Sequence, residues 1–353
     1  MKPHALSTRF GHLTIATAVL CFTCVSPVIA ARAPQFVIRE LTLPGAQATE
    51  GFKINNHGEV IGTSYGVDFM RPFLYSHGMF TELNVGQYGS AVNINDRGQI
   101  IGYANGPIYI YFYDDGELTD LRAAAGQPIS TVRSLNNRGA IVGYVIQSDG
   151  PAGFENYARA FVFASGEFRL LPALPGGFYS DAIDINNRDQ IAGQSSLLTT
   201  NGAVVGHAVI WDSRGIRDLG TLPGTTTSVC TSINDRGQAT GYSDSHGFIY
   251  IGGQMRSLGN LPGHFYNMPL VINNFGHIVG QSADSSFDER RAFLYANGAI
   301  HDLNDLIPRG SGWLLFEANG INDRGEIVGT GIHRERRRAF LLKPIQPFRI
   351  EPR

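Results

Sequence analysis

Three observations predict that this 353-residue chain is an all-β protein, a seven-bladed β-propeller of four-stranded blades. A short motif occurs seven times at intervals of 39 to 50 residues, which is the period of propeller blades. Around each copy lie short runs rich in aromatic and β-branched residues, which indicate β-strands. The seventh unit lacks a fourth run, and residues 36–45 at the other end of the chain supply one.

The recurring motif is an Asn-Asn or Asn-Asp pair followed by two spaced glycines. The first asparagines are Asn55, Asn95, Asn136, Asn186, Asn234, Asn273 and Asn322. Asn and Asp side chains bond the backbone two residues on, and the glycine three residues after the first asparagine tolerates positive φ. Asp189 replaces that glycine once, and Asp also tolerates this conformation. The motif therefore predicts a tight turn between two strands.

A second glycine follows the first asparagine by seven residues in every copy. These glycines are Gly62, Gly102, Gly143, Gly193, Gly241, Gly280 and Gly329. Glycine weakens a strand, so its recurrence predicts a crowded place where another chain segment comes very close.

The third and fourth runs of each unit decide how the fold closes. The third starts as Arg-Ala-Phe at Arg159 and Arg291, and the fourth ends in leucine, as at Asp218-Leu219. Six internal fourth runs and the N-terminal one make seven. We therefore expect the N-terminal strand to complete the last blade, whereas an open solenoid, the alternative, does not need it.

These repeats resemble the HAF family of probable extracellular repeat proteins, named for His-Ala-Phe at the start of the third strand. That column here reads His207-Ala208-Val209, His246-Gly247-Phe248 and, with arginine as in most copies, Arg159-Ala160-Phe161. Leu-Pro-Gly segments such as Leu222-Pro223-Gly224 also match. The resemblance covers about residues 36–342. It implies the repeat fold and export, but carries over no catalytic residue, since the family's activity is undefined.

The N-terminal segment indicates export. Lys2 and Arg9 precede an apolar core, and Val28-Ile29-Ala30 resembles a cleavage site. We expect a signal peptide over 1–30, the propeller over 31–345 and a C-terminal tail over 346–353. We further expect a secreted or periplasmic monomer without a membrane span, because the apolar core is too short for one.

The composition limits the classes of binding partner that we expect and the roles open to the cysteine. The formal net charge of −2 gives no general attraction to nucleic acid or membranes. The mature chain holds one cysteine, Cys230, which excludes a disulfide within it. Because Cys230 occupies a column of small residues, we interpret it as a small buried side chain; the alternative is a reactive thiol.

No motif for catalysis, a cofactor or a metal is evident, and no helix is evident either. The histidines are scattered, without zinc spacing. Calcium at Asn95-Asp96, Asn234-Asp235 or Asn322-Asp323 is an alternative, although the EF-hand pattern is absent. An arginine follows the Asn pair in five copies, which indicates either a solvated turn residue, the favoured interpretation, or a polyanion site. These arginines are Arg97, Arg138, Arg188, Arg236 and Arg324.

Two functional hypotheses follow. The first is a non-enzymatic binding scaffold that recognises a glycan or protein through its variable loops, because loops on a rigid scaffold often carry binding groups. The second is a polysaccharide-acting enzyme with acids from several blades at the propeller axis, and convergent acids there would favour it. The candidate ligand-binding residues lie in the loops of the sixth and seventh units: His333, Arg334, Arg336, Arg337, Asp288 and Arg290.

Overall fold

The structure is a computed structural model that describes residues 36–105, 109–149, 156–200 and 202–346. The predicted signal peptide, and all of the predicted tail except Gln346, lie outside these residues. The described chain forms 28 strands in seven four-stranded antiparallel sheets. The predicted seven-bladed propeller is therefore confirmed.

Each blade runs from an inner strand, nearest the ring axis, to an outer strand. Blade 1 comprises β2 (Ala48–Ile54), β3 (Val60–Tyr65), β4 (Met70–Ser76) and β5 (Met79–Glu82). Blade 2 comprises β6 (Gly89–Ile94), β7 (Ile100–Ala104), β8 (Ile110–Asp114) and β9 (Glu117–Asp120). Blade 3 comprises β10 (Ile129–Leu135), β11 (Ile141–Gln147), β12 (Tyr157–Ala164) and β13 (Glu167–Leu170).

The remaining blades follow in chain order. Blade 4 comprises β14 (Ser180–Ile185), β15 (Ile191–Leu198), β16 (Val204–Asp212) and β17 (Gly215–Asp218). Blade 5 comprises β18 (Ser228–Ile233), β19 (Ala239–Ser243), β20 (His246–Ile251) and β21 (Gln254–Ser257). Blade 6 comprises β22 (Tyr266–Ile272), β23 (Ile278–Ala283), β24 (Arg290–Ala296) and β25 (Ala299–Asp302). Blade 7 comprises β26 (Trp313–Ile321), β27 (Ile327–His333), β28 (Arg336–Pro344) and β1 (Phe36–Leu41).

The N-terminal strand closes the ring as predicted. Strand β1 pairs antiparallel with β28, from Phe36 opposite Pro344 to Leu41 opposite Ala339. Glu40 on β1 is hydrogen-bonded by His333 and pairs with Arg338 at 3.2 Å. Blade 7 is thus built from both ends of the propeller sequence, which removes two sheet edges.

The first asparagine of each motif joins its blade to the next. Its Oδ1 accepts the backbone N–H groups two and four residues on, as at Asn55 with His57 and Glu59. Its Nδ2 donates to the backbone carbonyl of the next first asparagine, at 2.8 to 3.1 Å in all seven blades. The seven asparagines therefore form a closed cycle around the axis, the asparagine ring.

The residue after each first asparagine forms a second closed cycle. Its N–H donates to the side-chain Oδ1 of its counterpart in the next blade, at 2.8 to 2.9 Å. The members in ring order are Asn56, Asp96, Asn137, Asn187, Asp235, Asn274 and Asp323. No two aspartates are neighbours, so each carboxylate lies between two amides rather than beside a like charge.

A β-bulge in every inner strand explains the second glycine. Pairing with the second strand slips three residues before each first asparagine, at Phe52, Val92, Arg133, Ile183, Thr231, Leu270 and Asn319. The bulge brings a carbonyl of the inner strand onto the glycine. A Cβ on Gly193, for example, would overlap the carbonyl oxygen of Asp181. The predicted crowding is confirmed.

The core lies between adjacent blades. The third strands contribute fully buried rings: Phe73, Tyr111, Phe161, Phe248, Phe293 and Phe340. Cys230 is also fully buried, as its column predicted, and burial raises the pKa of its thiol. Burying such side chains stabilises a fold by about 1.5–3 kcal/mol each, before the entropic cost of folding is counted.

Two short helices correct the expectation that no helix is present. Helix α1 spans Leu121–Ala125, and a 3₁₀-helix spans Leu303–Leu306. Each begins after an aspartate, Asp120 or Asp302, whose side chain accepts a backbone N–H of the first turn. In the described part of the chain, no helix is long and apolar enough to cross a membrane.

Candidate ligand-binding site at the loop face

The two faces of the ring differ in chemistry. The turn face carries the Asn motifs and surrounds an axial cavity of about 160 Å³, lined by the motif residues of all seven blades. The loop face carries the connections between second and third strands and those between blades. Because the polar groups of the turn-face cavity already bond one another in the two rings, the loop face is the better place to look for free binding groups.

One cluster at the loop-face end of blades 2 to 5 has such groups, and we call it the tyrosine site. It consists of Tyr103, Tyr144, Tyr179, Tyr242, Arg133 and Asp181. Tyr144 lies opposite Thr131 at the middle of β11, and Tyr242 lies opposite Val229, one residue before the end of β19. The charges and hydroxyls of these residues are close enough to act on one another electrostatically.

An ion pair between two blades is central to the tyrosine site. Arg133 Nη2 lies 2.9 Å from Asp181 Oδ2, and the guanidinium sits over the Tyr144 ring at 5.6 Å. Asp181 is 4% exposed, whereas the Arg133 side chain is 41% exposed. Burial raises the pKa of Asp181, although Arg133 opposes this. Among the described residues, Asp181 Oδ1 has no hydrogen-bond partner.

The tyrosine hydroxyls are mostly unused by the protein. The Tyr103 hydroxyl bonds both the N–H and the carbonyl of Val132, at 3.1 Å each. The hydroxyls of Tyr144, Tyr179 and Tyr242 make no hydrogen bond with the described protein, and all three side chains are partly exposed. Burial and the charge of Asp181 raise the pKa of Tyr179 to about 12, so its hydroxyl is protonated at neutral pH. The site therefore offers protonated hydroxyls, aromatic faces and an ion pair.

A second cluster, the glutamate site, lies where blades 7 and 1 meet. Glu50 accepts a hydrogen bond from the Tyr65 hydroxyl at 2.8 Å and pairs with Arg337 at 2.9 Å. Burial raises the pKa of Glu317; a hydrogen bond from Asn319 opposes this, and the charge of Glu50 adds to it. Two neighbouring carboxyl groups therefore occupy different environments.

The structure brings two of the six predicted candidates together. Arg337 and Arg290 both lower the pKa of Glu317 through their charge, so both lie near the glutamate site. Asp288 is exposed in the loop before Arg290, where its N–H donates to Ser286.

The other three candidates lie in or beside the hairpin that joins β27 to β28. His333 stacks on Trp313 with ring centroids 4.6 Å apart and bonds Glu40, so it belongs to ring closure. Arg334 lies in the two-residue turn at φ 50°, and Arg336 is exposed beyond it. None of the six belongs to the tyrosine site.

The turn-face arginines make contacts between blades. Arg138 pairs with Asp189 at 3.0 Å, and Arg236 lies over Phe275 at 5.7 Å. Arg324 pairs with Glu326 within its own turn. Across the described ranges, no group of three or more His, Cys, Asp or Glu side chains is placed to hold a metal ion.

Sequence reasoning missed the tyrosine site, although two signals were present. Tyrosine follows the second glycine in three copies, at Tyr103, Tyr144 and Tyr242. Arg133 is the one charged residue in the bulge column. Asp181 and Tyr179 carry no comparable signal, because only the blade order brings them to these positions.

Comparisons with known proteins identify the fold but no family. No protein-family model matches the sequence, and no curated protein matches it. The chain is similar to the β-propeller domain of the Trilobed protease from Pyrococcus furiosus, described as having an open velcro topology, with 13% identity, a TM-score of 0.51, and 86% of this chain and 97% of that one covered. In contrast, β1 here closes the ring.

Two further solved structures are similar. Acylaminoacyl peptidase from Pyrococcus horikoshii matches with 10% identity and a TM-score of 0.56, over 86% of this chain and 53% of that one. YCF48 bound to D1 peptide matches with 11% identity and a TM-score of 0.49, over 92% and 99%. At these identities the similarity shows the propeller fold alone.

Proposed function

We propose that this protein is an exported, non-enzymatic binding protein that holds a glycan in the tyrosine site. The observation that carries the proposal is the group of three tyrosine hydroxyls without a protein partner around the Arg133–Asp181 pair. A sugar presents hydroxyls that donate to a carboxylate and accept from a guanidinium, and C–H faces that pack on aromatic rings. The site presents an exposed guanidinium and partly exposed aromatic rings and hydroxyls, while the unpaired Asp181 Oδ1 is buried.

Export and family membership belong to the same proposal. Both rest on the resemblance to the HAF repeats and on the signal-peptide pattern of residues 1–30. A closed ring, in which β1 covers the edge of β28 and only short outer strands remain as sheet edges, suits a monomer outside the cytoplasm. A protein ligand on the loop face is the alternative within this class, because tyrosine and arginine are also enriched at protein interfaces.

The proposal is tested by a glycan array probed with the purified protein at low and high salt. We expect binding to neutral glycans that persists at 1 M salt, where charge attraction extends only about 3 Å. Binding that disappears in salt would instead place the ligand on exposed arginines, such as Arg97 on the turn face. An array without any bound glycan would overturn the glycan proposal.

The glutamate site favours a second candidate function, cleavage of a polysaccharide. Glycosidases use two carboxyl groups in different protonation states. Glu317, whose pKa is raised, suits the acid, and Glu50, held by Arg337 and Tyr65, suits the carboxylate. Incubation of any bound glycan with the wild type and with Glu317→Gln distinguishes binding from cleavage. Shorter products from the wild type alone would favour the enzyme.

A further inference from the structure

A third ring of side chains lies inside the axial channel, next to the asparagine ring. Its members stand two residues before each first asparagine: Lys53, Asn93, Ser134, Asp184, Ser232, Val271 and Gly320. Hydrogen bonds from blade to blade show that four of these side chains meet. Asn93 Nδ2 donates to Ser134 Oγ at 3.0 Å, Ser134 Oγ donates to Asp184 at 2.7 Å, and Ser232 Oγ donates to Asp184 at 2.8 Å.

The Asp184 carboxylate is fully occupied by donors on its own side of the channel. Besides the two serine hydroxyls, it accepts the backbone N–H groups of Ile185 at 3.0 Å and Ile233 at 2.9 Å. A carboxylate has about four acceptor positions. All four acceptor positions of Asp184 are therefore used. Its negative charge still acts on the rest of the channel.

Lys53 in blade 1 lies across the ring from Asp184 in blade 4. Its amine makes no hydrogen bond and no ion pair within 4.0 Å to any residue that the structure describes. Lys53 as a residue is partly exposed although protein surrounds its amine on all sides, as expected for a position that lines a narrow channel. Burial lowers the pKa of Lys53, and the charge of Asp184 opposes this only in part.

Position 53 holds a lysine, although lysine is rare in this chain. Of the 28 Lys and Arg residues, only Lys2, Lys53 and Lys343 are lysines. Where the loops and turns need a positive charge, the chain nearly always uses arginine. Lysine differs from arginine in that its amine loses a proton readily when desolvated and then acts as a nucleophile toward carbonyl groups.

We propose that Lys53 is an imine-forming site for a small, uncharged hydroxyaldehyde that enters the axial channel. The neutral amine attacks the aldehyde carbon, a C–N bond forms, and the carbonyl oxygen leaves as water with the two amine protons, so that a C=N bond remains. Asn93 stands next to Lys53 in the ring; beyond its bonds to Ser134 and to the Ile94 N–H, its amide keeps a second proton and a second lone pair for the hydroxyl. An anionic oxo acid is disfavoured, because the Asp184 carboxylate in the same ring acts on Lys53 and would repel a second negative charge.

The test compares two aldehydes of similar size on the folded protein. Glycolaldehyde is neutral, and glyoxylate is anionic; each is added with cyanoborohydride, which reduces an imine to a stable amine. Peptide mapping then measures the modification of Lys53 against that of Lys343, an exposed lysine that pairs with Glu326 at 3.1 Å. We expect glycolaldehyde to modify Lys53 at least tenfold faster than Lys343, and glyoxylate to lose that preference.

Two controls keep the outcome clear. Lys53→Arg retains the charge and should abolish the fast adduct, whereas Lys343→Arg should leave it unchanged. The wild-type peptide map decides even where Lys53→Arg does not fold. Equal modification of the two lysines, or modification of Lys53 only after unfolding in urea, would overturn the proposal without bearing on glycan binding at the loop face.

Discussion

The side-chain amide of Asn322 donates to the backbone carbonyl of Asn55 at 3.0 Å, although the two residues are 267 positions apart in the sequence. This hydrogen bond is the last of seven equivalent ones and turns a row of blades into a cycle. The strand β1 makes the same closure in the outer part of the ring. Closure therefore depends on two separate elements, one at the axis and one at the periphery.

Removal of the N-terminal strand tests the outer closure. A chain that begins after residue 45 exposes the edge of β28 and loses the buried Phe36 and Leu41. We expect aggregation or a loss of cooperative unfolding, because an unpaired edge invites other strands. Removal of residues 31–35 alone is the matched control. An unchanged melting curve in the longer deletion would contradict closure by β1.

Substitution of one ring asparagine tests the inner closure. Asn186 donates to the carbonyl of Asn234 at 2.8 Å and accepts the N–H groups of Arg188 and Gln190. Asn186→Ala leaves these buried groups without partners, so we expect a loss of about 1–3 kcal/mol in urea unfolding. Arg188→Ala, an exposed change in the same turn, should stay within about 0.5 kcal/mol. Equal effects of the two changes on stability would contradict a stabilising role for the asparagine ring.

A larger side chain at the second glycine tests the bulge. Gly193→Val would press against the carbonyl of Asp181, and overpacking of this kind costs about 1–3 kcal/mol. Gly206→Ala is the control, since its new methyl group meets the flexible end of Gln194. Thermal unfolding should separate the two variants. If Gly193→Val were as stable as Gly206→Ala, this would contradict the close approach of the inner strand to Gly193.

The pH dependence of stability tests the contacts of β1. Burial raises the pKa of Glu40, but hydrogen bonds from His333 and Thr42 outweigh it, and the net pKa lies below the ordinary 4.5. A lowered pKa in the folded state means that Glu40 contributes stability above about pH 4.5 and loses it as the pH falls further. Glu40→Gln should therefore lose less stability than the wild type between pH 6 and pH 3.5. Glu167→Gln, at an exposed position, should follow the wild-type curve, and a Glu40→Gln curve that also follows it would contradict this role.

The sequence predicted the fold well because one repeat carries its determinants. Turn glycines, the second glycine and the unpaired strand at residues 36–45 are local signals, and each has the predicted place. Local signals do not show what a side chain meets in the next blade. From its local sequence Asn55 is therefore predicted to be a turn residue only, whereas it also bonds the backbone of blade 2.

The candidate site was harder to predict for the same reason. Arg133 and Asp181 are 48 residues apart, and their ion pair exists only because blades 3 and 4 are adjacent. The composition of the charge-rich hairpin of residues 333–338 favours a binding site there. Its His333 and Arg338 serve closure, since both contact Glu40.

The most direct test of the central claim is a titration of a neutral glycan found on the array into two variants that both replace tyrosine by phenylalanine. The first removes the three free hydroxyls of the tyrosine site, as Tyr144→Phe, Tyr179→Phe and Tyr242→Phe together. The second, Tyr295→Phe, removes one hydroxyl from the third strand of blade 6. We expect at least a tenfold loss of affinity in the first variant, which corresponds to about 1.4 kcal/mol, and none in the second. Wild-type affinity in the triple variant would contradict a glycan site at these tyrosines.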